Sequence, residues 1–341
     1  MNAARWPRER PEAARLLRVA PATGEIQDTR VEQLPTLLRS GDLLVMNDAA
    51  TLPASLQGQT EEGAALELRL LAREPQGTWT AVLFGAGDWR MRTEDRPPPP
   101  VLPVGARLLL GPLTARVVEV LPPSPRLLRV AFDAEGAALW AGLYRAGRPV
   151  QYSYLAGPLS LWHIQTAYAA RPWAVEPPSA GLPLTWAMLL ELRRNGVQLA
   201  SLTHAAGLSS TGDPALDAAL PRPERFELPS ATVEAIHATR ERGGRVIAVG
   251  TTVVRALEGR AAQGGGTLTP GEGVTDLLLG PGFQLRVVQG LLTGVHEPTT
   301  SHYTLLQAFA PQPLLKEAAK RAEALGYLGH EFGDACLILD P

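Results

Sequence analysis

The segment 243–258, with the sequence GGRVIAVGTTVVRALE, constrains the fold of this chain more than any other stretch. Val246–Val249 is a short apolar run of mostly β-branched residues, which is typical of a buried strand. The apolar residues that follow recur at helical spacing: Val253, Val254 and Leu257. The pattern therefore predicts a strand, a tight turn and a helix, which is the repeating unit of α/β proteins.

The turn of this unit, Gly250-Thr251-Thr252, is the first candidate ligand site. Glycine lets a ligand come close to the backbone, and Thr251 or Thr252 is predicted to N-cap the helix. The free N–H groups at a helix start attract a carboxylate or a phosphate, and Arg255 could form a salt bridge to the same anion. The alternative is an ordinary capped strand–helix unit, in which these side chains only complete the helix.

Three other predicted strands lead into polar side chains. In α/β sheets, ligands bind at the carboxyl ends of the strands, so these side chains are candidate site residues. They are Asn47 and Asp48 at the end of the strand 42–48, His204 after the strand 197–202, and His296 after the strand that begins at Leu291. The alternatives are that Asn47 and Asp48 only start a turn and that the histidines are structural.

The length and composition set the class of protein. With 341 residues, 45% of them hydrophobic, the chain can bury a large core, and its length suggests two domains. No stretch approaches the roughly 18 to 20 apolar residues of a membrane span, and the N-terminus lacks the apolar core of a signal peptide. The single cysteine, Cys336, has no disulfide partner and no zinc-binding spacing. We therefore expect a cytoplasmic protein.

Residues 53–133 differ in pattern from the rest of the chain. They form short β-like runs separated by glycine, proline and charged turns, without a helical period, which predicts a small all-β barrel. The helical pattern of 135–147 marks the return to α/β structure. Further on, Thr275–Leu279 and Gln284–Val288 are predicted strands.

The connection 148–183 is rich in proline, glycine and aromatic residues. A connection of this length is more often functional than a simple link. Its aromatic side chains predict either a stacking wall for a planar base or a lid over the core. These are Trp162, His163, Tyr168 and Trp173.

Seven spaced segments, taken together, resemble the S-adenosylmethionine:tRNA ribosyltransferase-isomerases of queuosine biosynthesis, the QueA family. In chain order they are GDLLVMNDAATLPASL, QTAYA, SAGLPLT, RVIAVGTTVVRALE, TDLLLGPGFQ, TGVHEPTTS and FGDACLI. The resemblance implies a discontinuous mixed-sheet α/β domain, residues 1–52 and 134–341, with an inserted small all-β barrel domain, residues 53–133.

The resemblance also implies a reaction. The ribosyl moiety of S-adenosylmethionine is transferred to an aminomethyl-deazaguanine base in a tRNA anticodon and isomerised, which forms epoxyqueuosine. Adenine and methionine are released. S-adenosylmethionine is thus a substrate, tRNA is the partner, no metal is needed, and no obligate protein partner is evident.

Transfer from a sulfonium donor needs a base that removes a proton beside S⁺ and groups that hold the departing fragments. We expect His204 or His296 to act as the base and Arg255 to belong to the catalytic set. The expected substrate-binding residues are Asn47, Asp48, Gln165, Thr166, Tyr168, Gly250, Thr251, Thr252 and Asp334.

The chain departs from the family pattern at several polar positions. An arginine is replaced by Ala50, a lysine is missing near Thr299, and a histidine-rich segment is replaced around Phe226. These losses keep two alternatives open. The chain could be a divergent paralogue that binds S-adenosylmethionine or a nucleotide without tRNA turnover, or an enzyme for a small acceptor other than tRNA.

The charge distribution predicts how tRNA would bind. The net charge is -2, and acidic and basic residues are nearly balanced within 53–133. Because phosphate contacts cause the salt dependence of nucleic-acid binding, we expect weaker and less salt-dependent tRNA binding than for a basic RNA-binding domain. Titrations at several salt concentrations measure this. A steep salt slope that disappears when a Gly/Ser linker replaces the barrel would contradict it.

Overall fold

The β structure consists of a nine-stranded sheet, a closed six-stranded barrel and two short strand pairs. The computed structural model describes residues 1–220, 222–298 and 300–341, so that Thr299 lies outside the described residues. The described strands are β1 (Asn2–Ala3), β2 (Arg15–Ala20), β3 (Glu25–Arg30), β4 (Leu43–Asn47), β5 (Ala49–Thr51), β6 (Ser55–Thr60), β7 (Ala65–Arg73), β8 (Trp79–Phe84), β9 (Arg107–Leu110), β10 (Leu113–Val120), β11 (Leu127–Phe132), β12 (Arg171–Ala174), β13 (Gln198–His204), β14 (Glu224–Leu228), β15 (Val246–Val249), β16 (Gly271–Thr275), β17 (Gly290–Gly294), β18 (Leu328–Gly329) and β19 (Ala335–Ile338).

The helices cover the large sheet and connect its strands. The described α-helices are α1 (Leu34–Leu37), α2 (Gly136–Ala146), α3 (Trp186–Arg194), α4 (Pro214–Asp217), α5 (Ser230–Glu241), α6 (Thr251–Gln263), α7 (Ser301–Leu306) and α8 (Gln312–Ala324). Short 3₁₀ helices lie at Pro11–Ala13, Val31–Gln33, Thr93–Asp95, Leu161–His163 and Ser179–Gly181.

The large sheet has the strand order β16-β14-β13-β4-β15-β17-β19-β2-β3. Its central strands β13, β4, β15 and β17 are parallel, whereas β17 and β19 are antiparallel, so the sheet is mixed. Every residue of β4 and β15 is buried, because helices cover both faces of the centre. That burial explains the unbroken apolar runs at these positions. The four parallel strands bring their carboxyl ends to one edge of the sheet.

The barrel consists of β6 to β11, and all its neighbouring strands are antiparallel. Its interior is apolar, with fully buried residues from each strand, among them Leu56, Leu68, Val82, Leu108, Val117 and Leu128. Alternation of buried and exposed residues is clearest in β9, as expected for a strand with one face in the core. The predicted barrel is present. The domain limits at 53 and 133 stay a prediction.

The predicted strands Thr275–Leu279 and Gln284–Val288 are wrong. The observed strand, β16, ends at Thr275, and residues 276–289 are irregular. For the second segment the physical reason is Glu258, a fully buried carboxylate on α6 that accepts the backbone N–H groups of Arg286, Val287 and Val288 at 2.9 to 3.0 Å. These donors are satisfied by a side chain, so the segment needs no strand partner.

A buried ion pair joins the starts of the two central strands. Asp42 precedes β4 and accepts from Arg245, which precedes β15, through Nε at 3.0 Å and Nη2 at 2.6 Å. Asp42 is fully buried and also accepts the backbone N–H of Arg39 at 2.9 Å. The pair therefore holds β4 and β15 together at the edge opposite their carboxyl ends.

We expect Asp42→Asn to lower the free energy of unfolding by roughly 3 to 5 kcal/mol, because it leaves the buried Arg245 without a countercharge. Urea unfolding followed by circular dichroism measures the change. The matched control is Asp88→Asn, which removes an exposed partner of Arg90 and should cost less than about 1 kcal/mol. Equal costs for the two variants would contradict the structural role of the Asp42–Arg245 pair.

Candidate active site

Asn47 connects the carboxyl ends of two parallel strands to the start of α6. Its Oδ1 accepts the N–H groups of His204 at 2.9 Å and Ala49 at 3.1 Å. Its Nδ2 donates to the carbonyl oxygen of His204 at 3.0 Å and to Thr252 Oγ1 at 3.3 Å. The structure therefore brings together three of the predicted site residues: Asn47, His204 and Thr252. All four hydrogen-bonding positions of the amide are used, so Asn47 orients the edge of the sheet.

Asp48, the next predicted residue, points to a different set of partners. Its carboxylate accepts the hydroxyl groups of Ser201 at 3.0 Å and Thr203 at 2.6 Å. Both donors lie on β13, so Asp48 links β13 to the end of β4 by hydrogen bonds.

His204 is the most deeply buried titratable group at this edge. Its side chain has no solvent exposure, and neither ring nitrogen has a hydrogen-bond partner within the described residues. Burial lowers the pKa of His204 to about 4, although the nearby Glu224 opposes this shift and Arg255 adds to it. The imidazole is therefore neutral near pH 7 and can accept a proton.

Glu224 is a site residue that the sequence analysis missed. Its Oε2 lies 3.4 Å from His204 Nε2 and accepts a hydrogen bond from Arg255 Nη1, and its Oε1 accepts the N–H of Gly207 at 3.0 Å. Glu224 begins β14, which is antiparallel to β13, so it reaches the histidine from the neighbouring strand. Its position depends on strand pairing, and no sequence spacing indicates it.

Arg255 lies in the second turn of α6, as the sequence indicates, and its guanidinium is bonded to protein groups. It forms an ion pair with Glu224 and donates from Nε to the carbonyl oxygen of Leu277 at 3.1 Å. Its Nη2 is buried and has no partner in the described part of the chain. The ion pair of Arg255 and Glu224 thus lies beside the neutral His204, and one guanidinium nitrogen has no partner among the described residues.

The start of α6 differs from the predicted N-cap. Gly250 is the capping residue, with φ of 89°, and neither threonine side chain caps the helix. This φ lies in the left-handed region that favours glycine, which explains the residue between strand and helix. Thr251 is buried in the first turn, and Thr252 instead accepts from Asn47. The free N–H groups of the first turn remain at the strand ends.

His296 lies just beyond β17 at the same edge. Its Nε2 is 2.8 Å from Thr293 Oγ1, and its ring stacks on His302 with 5.0 Å between centroids. Burial lowers the pKa of His296 to about 3, and His302 adds to the effect. Burial also lowers the pKa of His302. The charge of Glu224 opposes this shift, and that of Arg255 adds to it. The His302 ring, which the sequence analysis missed, therefore packs on His296 and is influenced by the charges of Glu224 and Arg255.

A cavity of about 220 Å³ lies beside this edge. The end of β17 and the segment 179–183 line it, and a Cβ on Gly250 would lie 3.5 Å from Ala180 of that segment. Two predicted residues, Gln165 and Asp334, are in its wall. The Gln165 amide bonds both backbone groups of Thr51, so it shapes the wall.

The other two predicted binding residues, Thr166 and Tyr168, do not line this cavity. Both hydroxyl groups are buried without a partner among the residues described, and a Cβ on Gly181 would lie 2.0 Å from Tyr168 Oη.

The structure also divides the predicted aromatic wall. Trp162 and His163 line the cavity, whereas Trp173 lines a separate cleft of about 510 Å³ between the barrel and β14.

Comparison with known proteins identifies the family. Residues 1–338 match the family model described as queuosine biosynthesis protein. The chain belongs to this family. It is 38% identical to the S-adenosylmethionine:tRNA ribosyltransferase-isomerase of Gluconacetobacter diazotrophicus, over 96% of this chain and 90% of that protein. It is 36% identical to the enzyme of the same name from Thermus thermophilus, over 91% of this chain and 88% of that protein.

A solved structure supports the same family. The S-adenosylmethionine tRNA ribosyltransferase of Thermotoga maritima is 26% identical, with a TM-score of 0.53, over 99% of this chain and 96% of that chain. The resemblance predicted from the sequence is confirmed, as is the mixed α/β class with a small β-barrel.

Two properties of the described residues complete the site. They contain no group of three or more histidine, cysteine, aspartate or glutamate side chains that could hold a metal ion. No helix in the ranges 1–220, 222–298 and 300–341 is long and apolar enough to cross a membrane.

The lowered pKa of His204 predicts a loss of stability in acid. Between the ordinary pKa of 6.5 and about 4, the unfolded chain binds a proton that the folded chain does not, so unfolding becomes more favourable as the pH falls. Between pH 7 and pH 4.5, the free energy of unfolding should fall by roughly 2 to 3 kcal/mol more for wild type than for His204→Gln. Urea unfolding at both pH values measures this. His237→Gln, at an exposed position on α5, is the control and should follow wild type.

Proposed function

We propose that this chain is an S-adenosylmethionine:tRNA ribosyltransferase-isomerase of queuosine biosynthesis. It transfers the ribosyl moiety of S-adenosylmethionine to an aminomethyl-deazaguanine base in tRNA and isomerises it to epoxyqueuosine, with release of adenine and methionine. The observation that supports this best is a neutral, fully buried histidine at the meeting point of the parallel strands, in a chain of the queuosine biosynthesis family.

His204 is the proposed general base. A proton beside a sulfonium is acidified by the positive sulfur, and a neutral imidazole with free nitrogens can remove it. Glu224 lies close enough to stabilise the imidazolium that forms, and Arg255 holds the Glu224 carboxylate in place. His296 is the second candidate base, because its pKa is lowered in the same direction.

The remaining predicted residues have supporting roles in this proposal. Gly250 and the first-turn N–H groups of Thr251 and Thr252 face the donor, where they can stabilise developing negative charge. Asn47 and Asp48 hold the strand ends that carry these groups. Gln165, Thr166, Tyr168 and Asp334 support the surrounding walls. We place the reaction in the cytoplasm, with tRNA as the acceptor.

We expect the purified protein to release adenine from S-adenosylmethionine when precursor-bearing tRNA is present. His204→Gln should lower the rate by roughly 100- to 10,000-fold, the range for loss of a general base. Thr252→Arg, which places a large cation at the strand ends, gives the background rate. His237→Gln should retain wild-type activity. Chromatographic detection of adenine measures all four proteins.

Three other outcomes would contradict the proposal in different ways. Adenine release no higher than for Thr252→Arg would exclude the reaction under these conditions. Saturable binding of S-adenosylmethionine without turnover would identify a binding protein. Adenine release that does not depend on tRNA would identify a small acceptor instead.

A further inference from the structure

Two charged side chains in the wall of the 220 Å³ cavity each carry a buried polar atom without a partner. They are Nε of Arg8 and Oε2 of Glu331, and neither forms a hydrogen bond within the residues that the structure describes. A buried polar atom without a hydrogen bond is costly, so a ligand that supplies the missing bond gains binding energy. Neither residue belongs to the strand-end group of His204.

Arg8 is held in place by Asp334. Its Nη2 donates to Asp334 Oδ1 at 2.7 Å. The same carboxylate also accepts the backbone N–H groups of Arg15 at 2.9 Å and Leu328 at 2.8 Å. Asp334 is therefore fixed by three donors, and it holds in the cavity wall an arginine whose Nε–H has no partner among the described residues.

Glu331 follows a residue with unusual backbone geometry. His330 has φ of 67°, which lies in the left-handed region and is uncommon for a residue other than glycine. Its ring packs on Tyr154, with 4.3 Å between centroids. The surroundings thus fix a turn that directs Glu331 to the cavity. Burial raises the pKa of Glu331, and a cationic partner would stabilise its ionised form.

The cavity wall thus contains one cationic side chain, Arg8, and one carboxylate, Glu331, each with an atom that lacks a bond. This pair of opposite charges matches a zwitterionic ligand. An α-carboxylate pairs with a guanidinium, and an α-ammonium pairs with a carboxylate. Of the charged wall residues, Arg8 is positive whereas Glu331 and Asp334 are negative, so the wall favours a ligand with excess positive charge. A sulfonium amino acid has this combination of charges.

We propose that Arg8 and Glu331 form a subsite for the amino-acid end of the donor, with the α-carboxylate on Arg8 and the α-ammonium on Glu331. This rests on the proposed function and specifies which part of S-adenosylmethionine enters the cavity. Cavities that enclose a whole ligand of this size measure about 300 to 1,000 Å³, so one of about 220 Å³ suits only one end. The wall residues Ala180 and Thr293 adjoin the strand ends, where the nucleoside end would lie.

The test compares S-adenosylhomocysteine with 5′-methylthioadenosine. Both are neutral thioethers of the same nucleoside, and only the first has the amino-acid end. We expect wild type to bind S-adenosylhomocysteine more tightly in calorimetry of the full chain. Glu331→Gln should weaken that binding roughly 10- to 100-fold, the range for a hydrogen bond to a charged group, and should change binding of 5′-methylthioadenosine less than about twofold.

Matched controls separate the subsite from general damage. Glu9→Gln removes an exposed carboxylate near Arg8 in sequence and should leave both affinities unchanged. Arg8→Lys keeps the charge but loses the guanidinium, and we expect a smaller selective loss than for Glu331→Gln. Thermal unfolding of each variant shows whether it is folded, and Glu331→Gln should be stable because Oε2 has no bond to lose among the described residues.

The outcomes distinguish this inference from the proposed function. If Glu331→Gln binds both ligands like wild type while adenine release persists, the subsite is wrong and the proposed function stands. If it weakens both ligands equally, Glu331 only shapes the cavity and the inference is also wrong. If it weakens tRNA binding alone, the cavity receives the acceptor base instead. If wild type binds neither these ligands nor S-adenosylmethionine, the proposed function itself fails.

Discussion

The side chain of Asn47 is the interaction on which the candidate site depends. One amide bonds both backbone groups of His204 and the hydroxyl of Thr252, so it sets the spacing between two strands and a helix. Parallel strands alone leave their carboxyl ends with unpaired backbone groups. Here the backbone groups of His204 are bonded by a buried amide, which orders this edge of the sheet beside the cavity.

Buried charges define the rest of the α/β core. Each accepts more than one hydrogen bond: Asp42 from Arg245 and the backbone of Arg39, Asp334 from Arg8 and two backbone N–H groups, and Glu258 from three backbone N–H groups. Such groups stabilise a structure only when their bonding capacity is filled. Four side chains with a buried atom that lacks a bond lie at the strand ends or at the cavity: His204, Arg255, Arg8 and Glu331.

Much of the fold could be predicted from the sequence because local patterns determine it. The apolar run and the helical spacing of 243–258 predicted the central strand–helix unit. The polar residues at the ends of three strands predicted Asn47, His204 and His296 as site residues. Interactions between distant segments could not be predicted. Glu224 reaches His204 only through the pairing of β14 with β13, and His302 reaches His296 across a turn. The strand predicted at Gln284–Val288 failed because a carboxylate replaced the expected backbone partners.

Glu258 also links two parts of the site that do not touch it. It lies on α6, whose first turn is at the strand ends, and it fixes the segment that leads into β17, whose far end carries Thr293. The helix and the strand therefore share one anchor, and displacement of either would be transmitted to the other. A substitution at position 258 is therefore expected to disturb the candidate site, although Glu258 lies two helical turns from the start of α6. Homologues are expected to keep a carboxylate there even where the polar residues at the strand ends have changed.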